Sequence, residues 1–188
     1  MRVMTAAECL LAIALGGCIT PQVTEKPAAN VDFHQFKTVR YTVHPLPTTE
    51  YGSDESDKVY ARETISLTES LLGKKLESIG YTLVGGDGTA ELALDVAVTA
   101  CKPGNGAARF WLGFGAGRAI YAFEASFANQ DGKSLGKFQG GRLYTGMEFG
   151  QALLSRDEIS TLAAIRAVQQ IQEFMANGGS FPDKNQKK

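Results

Sequence analysis

Asp95 and Glu124 are the two residues that this sequence sets up most clearly for chemistry. Leu92, Leu94, Val96 and Val98 alternate with Ala93, Asp95 and Ala97. Tyr121, Phe123 and Phe127 alternate with Ile120, Glu124 and Ser126. Both runs have the two-residue period of a half-buried strand. If the strands pair, the two carboxylates lie on one polar face. Paired carboxylates can exchange protons with a substrate, and a pocket that raised their pKa values would favour an enzyme. A solvated sheet face carries the same residues with no reaction at all, and that plainer reading is adopted. Elsewhere the chemistry is thinner. His34 and His44 sit in or beside the first strand with no helix-borne partner, so no metal pair is expected. Cys101 ends a strand-like run without a His–Asp arrangement to activate it. Asp54, Glu55 and Asp57 lack the spacing of an EF-hand loop and suit the start of a helix instead. No Gly-x-Ser-x-Gly elbow, His-Glu-x-x-His or Walker loop is present. No cofactor is expected.

The first residues give an address. Arg2 precedes a short apolar run from Cys9 to Ala14, followed by Leu15-Gly16-Gly17-Cys18. The apolar run is too short to span a bilayer and reads as a secretory signal over residues 1–17. Leu-Gly-Gly-Cys resembles the lipobox of bacterial lipoproteins. That resemblance implies cleavage before Cys18, a lipid on its thiol, and a mature protein held outside the cytoplasm. A soluble secreted chain with an ordinary cut site is the competing reading. Residues 19–31 are polar with two prolines and no periodicity, which predicts a tether reaching about 40 Å at full extension. Ile19, not Asp, follows the lipid cysteine, which favours the outer membrane facing the periplasm.

Composition narrows the partners. The chain has 188 residues and a net charge of −1, so no bulk basic field attracts nucleic acid. Its three cysteines are Cys9, Cys18 and Cys101; loss of the first and acylation of the second leave no internal disulfide.

The elements that must position these residues follow from pattern and punctuation. Val39, Tyr41 and Val43 mark a first strand, stopped at His44-Pro45-Leu46-Pro47. A helix is predicted over about 56–79, with Ile65, Leu72, Leu76 and Ile79 on one stripe and Gly80 as its stop. Tyr81–Val84 predicts a short strand, Leu92–Val98 the clearest one, and Ala119–Phe127 another. Asp131-Gly132 supplies a hairpin turn, and the chain returns from Lys133 to Tyr144 with Gly140-Gly141 read as a bulge. Ser155 and Glu158 form a capping box for a helix to about 176. Its stripe is Ile159, Leu162, Ile165, Val168, Ile171 and Met175. The prediction is an α+β, two-layer domain over residues 32–178. A mainly antiparallel sheet of 4–5 strands would carry two amphipathic helices on one face. Residues 179–188 read as a polar tail.

One internal stretch resists this plain reading. Arg109-Phe110-Trp111-Leu112-Gly113-Phe114-Gly115-Ala116-Gly117-Arg118 holds the only tryptophan, with glycine at alternate positions. Gly-x-Gly-x-Gly before a strand is not a dinucleotide-binding loop, which needs a helix next. Two readings stay open: a glycine-kinked strand start in the core, or an apolar surface that meets a partner or lipid. Arg109 to Arg118, then a strand, then Asp131-Gly-Lys-Ser-Leu135, resembles the bacterial lipoprotein family built on domain of unknown function 4410. The resemblance spans about residues 35–176. It implies an envelope lipoprotein with no assigned reaction and no catalytic residues. The expectation is therefore a non-catalytic cell-envelope lipoprotein. Its partners would be the membrane, through the lipid anchor, and an envelope protein or further copies of itself. The alternative is a small-molecule or envelope-polymer enzyme using the carboxylate pair.

Overall fold

The computed structural model describes residues 19–52, 54–86, 88–105, 117–144 and 154–182. Among these, six strands and two α-helices build an α+β fold: β1 (Gln22–Glu25), β2 (Thr38–Tyr51), α1 (Glu55–Ser78), β3 (Thr82–Leu83), β4 (Leu92–Lys102), β5 (Ala119–Asn129), β6 (Ser134–Tyr144) and α2 (Arg156–Ala176). One sheet holds all six strands in the order β1-β6-β5-β4-β2-β3.

The sheet is mixed, not mainly antiparallel, and has six strands, not four or five. β4, β5, β6 and β1 pair antiparallel, whereas β2 runs parallel to both β4 and β3. The physical reason is α1. A helix between β2 and β4 makes a crossover, and a crossover returns the chain in the same direction. Strand count rises because β1 forms inside the segment read as a tether. Val23 stands opposite Phe138 and Glu25 opposite Lys137. The prolines at 45 and 47 do not end β2 either. Pro45 pairs with Val98, the ladder shifts register, and pairing resumes at Glu50 and Ala100. Beyond Val39, β3 no longer covers the outer edge of β2, so a missing N–H there breaks no ladder.

Both helices cover the same sheet face. Leu92, Leu94, Val96, Val98, Tyr121, Phe123, Phe127 and Phe138 are buried beneath them. A ring cluster fills one end of this core: Phe174 lies 5.0 Å from Phe127 and 4.9 Å from Phe138, centroid to centroid. Phe181, read as part of a polar tail, joins it at 5.0 Å from Phe138. The other end is tied by hydroxyls. Tyr121 donates to Thr68 Oγ1 (3.0 Å), and Thr64 of α1 meets Ser160 of α2 at 2.9 Å.

Helix starts match their sequence signals. Asp54 caps α1, and Ser155 with Glu158 makes the full capping box of α2. The buried stripe of α2 differs from expectation. Ile159, Val168, Ile171 and Met175 are buried as predicted, but Leu162 and Ile165 are exposed, and Ala163, Ala164 and Ala167 are buried. The α2 residue that meets the rings of β5 and β6 is Phe174. Gly140-Gly141 is not a bulge: Gly140 pairs with Phe123 and Gly141 with Ala122 in unbroken register.

Candidate functional site

The open face of the sheet carries the residues with reactive side chains. Asp95 stands directly opposite Thr42 across the parallel β2–β4 ladder. Its Oδ1 accepts from Thr42 Oγ1 at 2.6 Å and meets His44 Nε2 at 3.0 Å. His44 lies two positions along β2, so strand period puts it on the same face. Its Nδ1 meets the carbonyl of Pro45 at 3.2 Å. This His–Asp contact is invisible to a reading that assumes antiparallel pairing; the signal for it was the helix between β2 and β4, which fixes a parallel register. Glu124 shares the face but not the cluster. Asp95 pairs with Ser126 and Glu124 with Ala97, so the carboxylates are diagonal neighbours. Glu124 is bound instead by Lys137 Nζ at 2.8 Å. Each carboxylate thus has its own partner. About half the side chain of Asp95 and 43% of that of His44 face solvent. An exposed polar face of this kind can bind through charge and hydrogen bonds.

The remaining sequence-derived candidates separate. His34 lies in a short 3₁₀ turn ahead of β2, where its N–H is capped by Asp32 at 3.0 Å; it does not approach His44's cluster. Asp54, Glu55 and Asp57 act as helix-start charges. Asp54 accepts from the Asp57 N–H at 2.9 Å, and Glu55 pairs with Lys58 at 3.0 Å. Asp57 is buried and takes Arg156 at 3.1 Å, which joins the first turns of the two helices. No group of three metal-ligating side chains occurs among the described residues. Cys101 is fully buried, and that burial pushes its thiol up to about 12. Such a thiol stays protonated and is a poor nucleophile.

An apolar groove runs on the outer side of the helices, with a volume of about 440 Å³. Leu71 and Lys75 of α1 and Ile165 and Val168 of α2 line it. It explains where the exposed Ile165 of the predicted α2 stripe points.

Cys18 lies outside the described residues, as do Arg109, Phe110, Trp111, Gly113, Phe114 and Gly115 of the glycine-aromatic segment. The base of that segment is described. The Asn105 N–H donates to the Gly117 carbonyl at 3.0 Å. Gly104, with φ of +67°, lies hard against the carbonyls of Gly117 and Arg118. A side chain there would strike backbone, so glycine is needed for the two stems to touch.

Residues 32–146 match the family described as Domain of unknown function (DUF4410). The chain belongs to that family. The DUF4410 match covers the sheet from β2 to β6 and stops before α2, whereas the resemblance in the sequence ran on to residue 176. No curated protein matches the chain. Among solved structures, this DUF4410 chain is similar to the PelC dodecamer from Paraburkholderia phytofirmans at 13% identity and a TM-score of 0.45, covering 86% of this chain and 99% of that one. It is also similar to a DUF4136 family protein from Bacteroides thetaiotaomicron at 14% identity and a TM-score of 0.41, again over 86% and 99%. A Xanthomonas campestris protein follows at 11% and 0.31, over 81% and 95%. At these values none of the likenesses carries a function across. No helix among the described residues is long and apolar enough to cross a membrane.

Proposed function

We propose that this chain is a non-catalytic, lipid-anchored protein of the bacterial cell envelope, serving as a binding or assembly component. The observation that carries the reading is the signal-like N-terminus ending in Leu15-Gly16-Gly17-Cys18, ahead of a chain that belongs to a family with no assigned reaction. Its attachment would come from lipid on Cys18, and Ile19 after it favours the outer membrane. The open sheet face and the apolar groove between the helices offer two surfaces of different chemistry for an envelope partner or a second copy. The enzyme alternative gains little support from the geometry, because Asp95 and Glu124 are bound to separate partners on an exposed face.

The test is to express the full chain and its Cys18→Ser variant with a labelled fatty acid, then fractionate the membranes. Label and membrane retention after a salt wash are expected only with Cys18. A variant that remains in the washed membranes would show that lipid is not the anchor. Cross-linking of the anchored protein, followed by recovery of its partners, then tests the binding role.

A further inference from the structure

The segment after Cys18 is not slack. From Ile19 to Val31 it is laid along the domain from one end of the sheet to the other. Gln170 Nε2 of α2 lies 3.5 Å from the Ile19 carbonyl. Gln22 to Glu25 form β1 against β6. Pro27 packs beside Gly179, and the Val31 N–H donates to the Gly178 carbonyl at 3.2 Å. The tether of about 40 Å read from composition does not exist in the fold. Polar residues and prolines look like linker because an edge strand of four residues leaves almost no periodic signal.

The direction of this strap matters. β1 is antiparallel to β6, with Gln22 opposite Gln139. Going back toward Cys18, the chain therefore climbs toward the C-terminal end of β6 at Tyr144. Through the antiparallel and parallel pairings, that is also the end where β2 and β4 finish, at Tyr51 and Lys102, and where β5 begins, at Ala119. The stem Asn105–Gly117 stands there as well. The β5–β6 turn around Asp131 is at the far end, about 35 Å away along eleven residues of strand.

We infer that the end of the sheet bearing Ile19, Tyr144, Lys102 and Ala119 faces the membrane, with the strands upright on it and the Asp131 turn directed away. This rests on the reading of Cys18 as the lipid-bearing residue. One residue separates Cys18 from a carbonyl already held by the domain. A link of that length spans only about 3.5 Å, so the lipid headgroups lie against this end and the domain cannot roll over. The partner of this surface is a phospholipid headgroup layer.

Two single-cysteine variants test this, Arg118→Cys and Asp131→Cys, since buried Cys101 does not compete for label. Each full-length lipidated chain is reconstituted in phosphatidylethanolamine–phosphatidylglycerol vesicles and labelled with a donor dye. Energy transfer to an acceptor on the headgroups is then measured. Transfer several-fold stronger at position 118 than at 131 is expected. A long Gly-Ser insertion between Cys18 and Ile19 should erase most of the difference. Equal transfer at both sites in an acylated protein, or a difference untouched by the insertion, overturns the proposed orientation alone. Mass analysis of the same preparation reads acylation directly, and an unmodified Cys18 overturns the anchor reading and the orientation together.

Discussion

The side-chain amide of Gln170 pairs with both backbone groups of Gly141. Its Oε1 accepts the Gly141 N–H at 2.8 Å and its Nε2 donates to the Gly141 carbonyl at 3.3 Å. Gly141 lies on β6 just past the stretch that β1 covers. A glutamine from α2 therefore does there what an edge strand would do, and the pair is fully buried. Gly141 itself has φ of +145°, and a Cβ would press on the carbonyl of Tyr121 and lie 2.8 Å from the Cα of Ala122.

Replacing Gln170 with leucine keeps the volume and strands two buried backbone groups. Each such group costs about 1–3 kcal/mol, so urea unfolding of Gln170→Leu should show a loss of about 2–6 kcal/mol. Gly141→Ala should also destabilise, through strain at a left-handed φ. Wild-type stability in Gln170→Leu would mean that the amide contributes nothing to the edge.

This edge shows where the sequence was and was not legible. Leu92–Val98 and Tyr121–Phe127 announced themselves because one face is buried and the other wet, and strand period follows from that alone. The capping box at Ser155 was legible because it is local. The parallel step between β2 and β4 is not local; it depends on a helix crossing over the sheet. β1 was hidden because its four residues bury almost nothing. Leu162 and Ile165 misled in the opposite sense: they fit the helical period, yet they are exposed while Ala163, Ala164 and Ala167 are buried. Of the carboxylates, a shared face was readable, but the partner of each was decided by register.

Cys101 gives a direct check on the core. It is inaccessible, and burial holds its thiol protonated, up to about 12. In a Cys18→Ser chain lacking residues 1–17 it is the only thiol. A thiol reagent at neutral pH should leave it unmodified for as long as the protein is folded and titrate one equivalent in denaturant. Rapid reaction without denaturant would place Cys101 at the surface.

Acid should weaken the fold at the start of the parallel ladder. Glu91 accepts from the backbone N–H groups of Lys37 and Thr38, and its own N–H donates to Thr38 Oγ1 at 3.0 Å. These bonds, that from Lys37 first, hold its carboxyl below the ordinary carboxylate range. The folded state thus binds the proton less readily than the unfolded chain. The stabilisation is complete above the unfolded carboxylate pKa and is lost as the pH falls through the folded one. Thermal melts should show Tm falling with acid across that window, and less steeply in Glu91→Gln. An identical slope in the variant would assign the acid sensitivity elsewhere, for instance to the similarly lowered Asp54 and Glu158 at the helix caps.

At alkaline pH the sign reverses. The Tyr81 hydroxyl is buried and donates to the Phe33 carbonyl at 2.7 Å, and desolvation pushes it up to about 12. The unfolded tyrosine releases its proton first, so stability drops between the ordinary tyrosine pKa and about 12. Tyr81→Phe should be less stable at neutral pH by about 1 kcal/mol, the usual net value of one hydrogen bond. It should also lose stability less steeply above pH 10. A variant as alkali-sensitive as the parent would remove Tyr81 from the account.

The two carboxylates of the open face decide between a binding surface and a shared acid–base site. Asp95 is held by Thr42 and His44, Glu124 by Lys137. Both sets of contacts are at least partly solvent-exposed, where an ion pair is worth about 0–1 kcal/mol. Asp95→Asn and Glu124→Gln should therefore each shift stability by less than about 1 kcal/mol. Two groups that share no partner should also add, within about 0.5 kcal/mol, in the double variant. A pair working as one site behaves differently: with a proton held between the carboxylates, either change removes the shared proton and the second costs little more. A coupling above about 1 kcal/mol, or a pH-dependent coupling in chemical-shift titrations of the two side chains, would return the enzyme reading to the front. Additive, pH-independent effects are what an open recognition face gives.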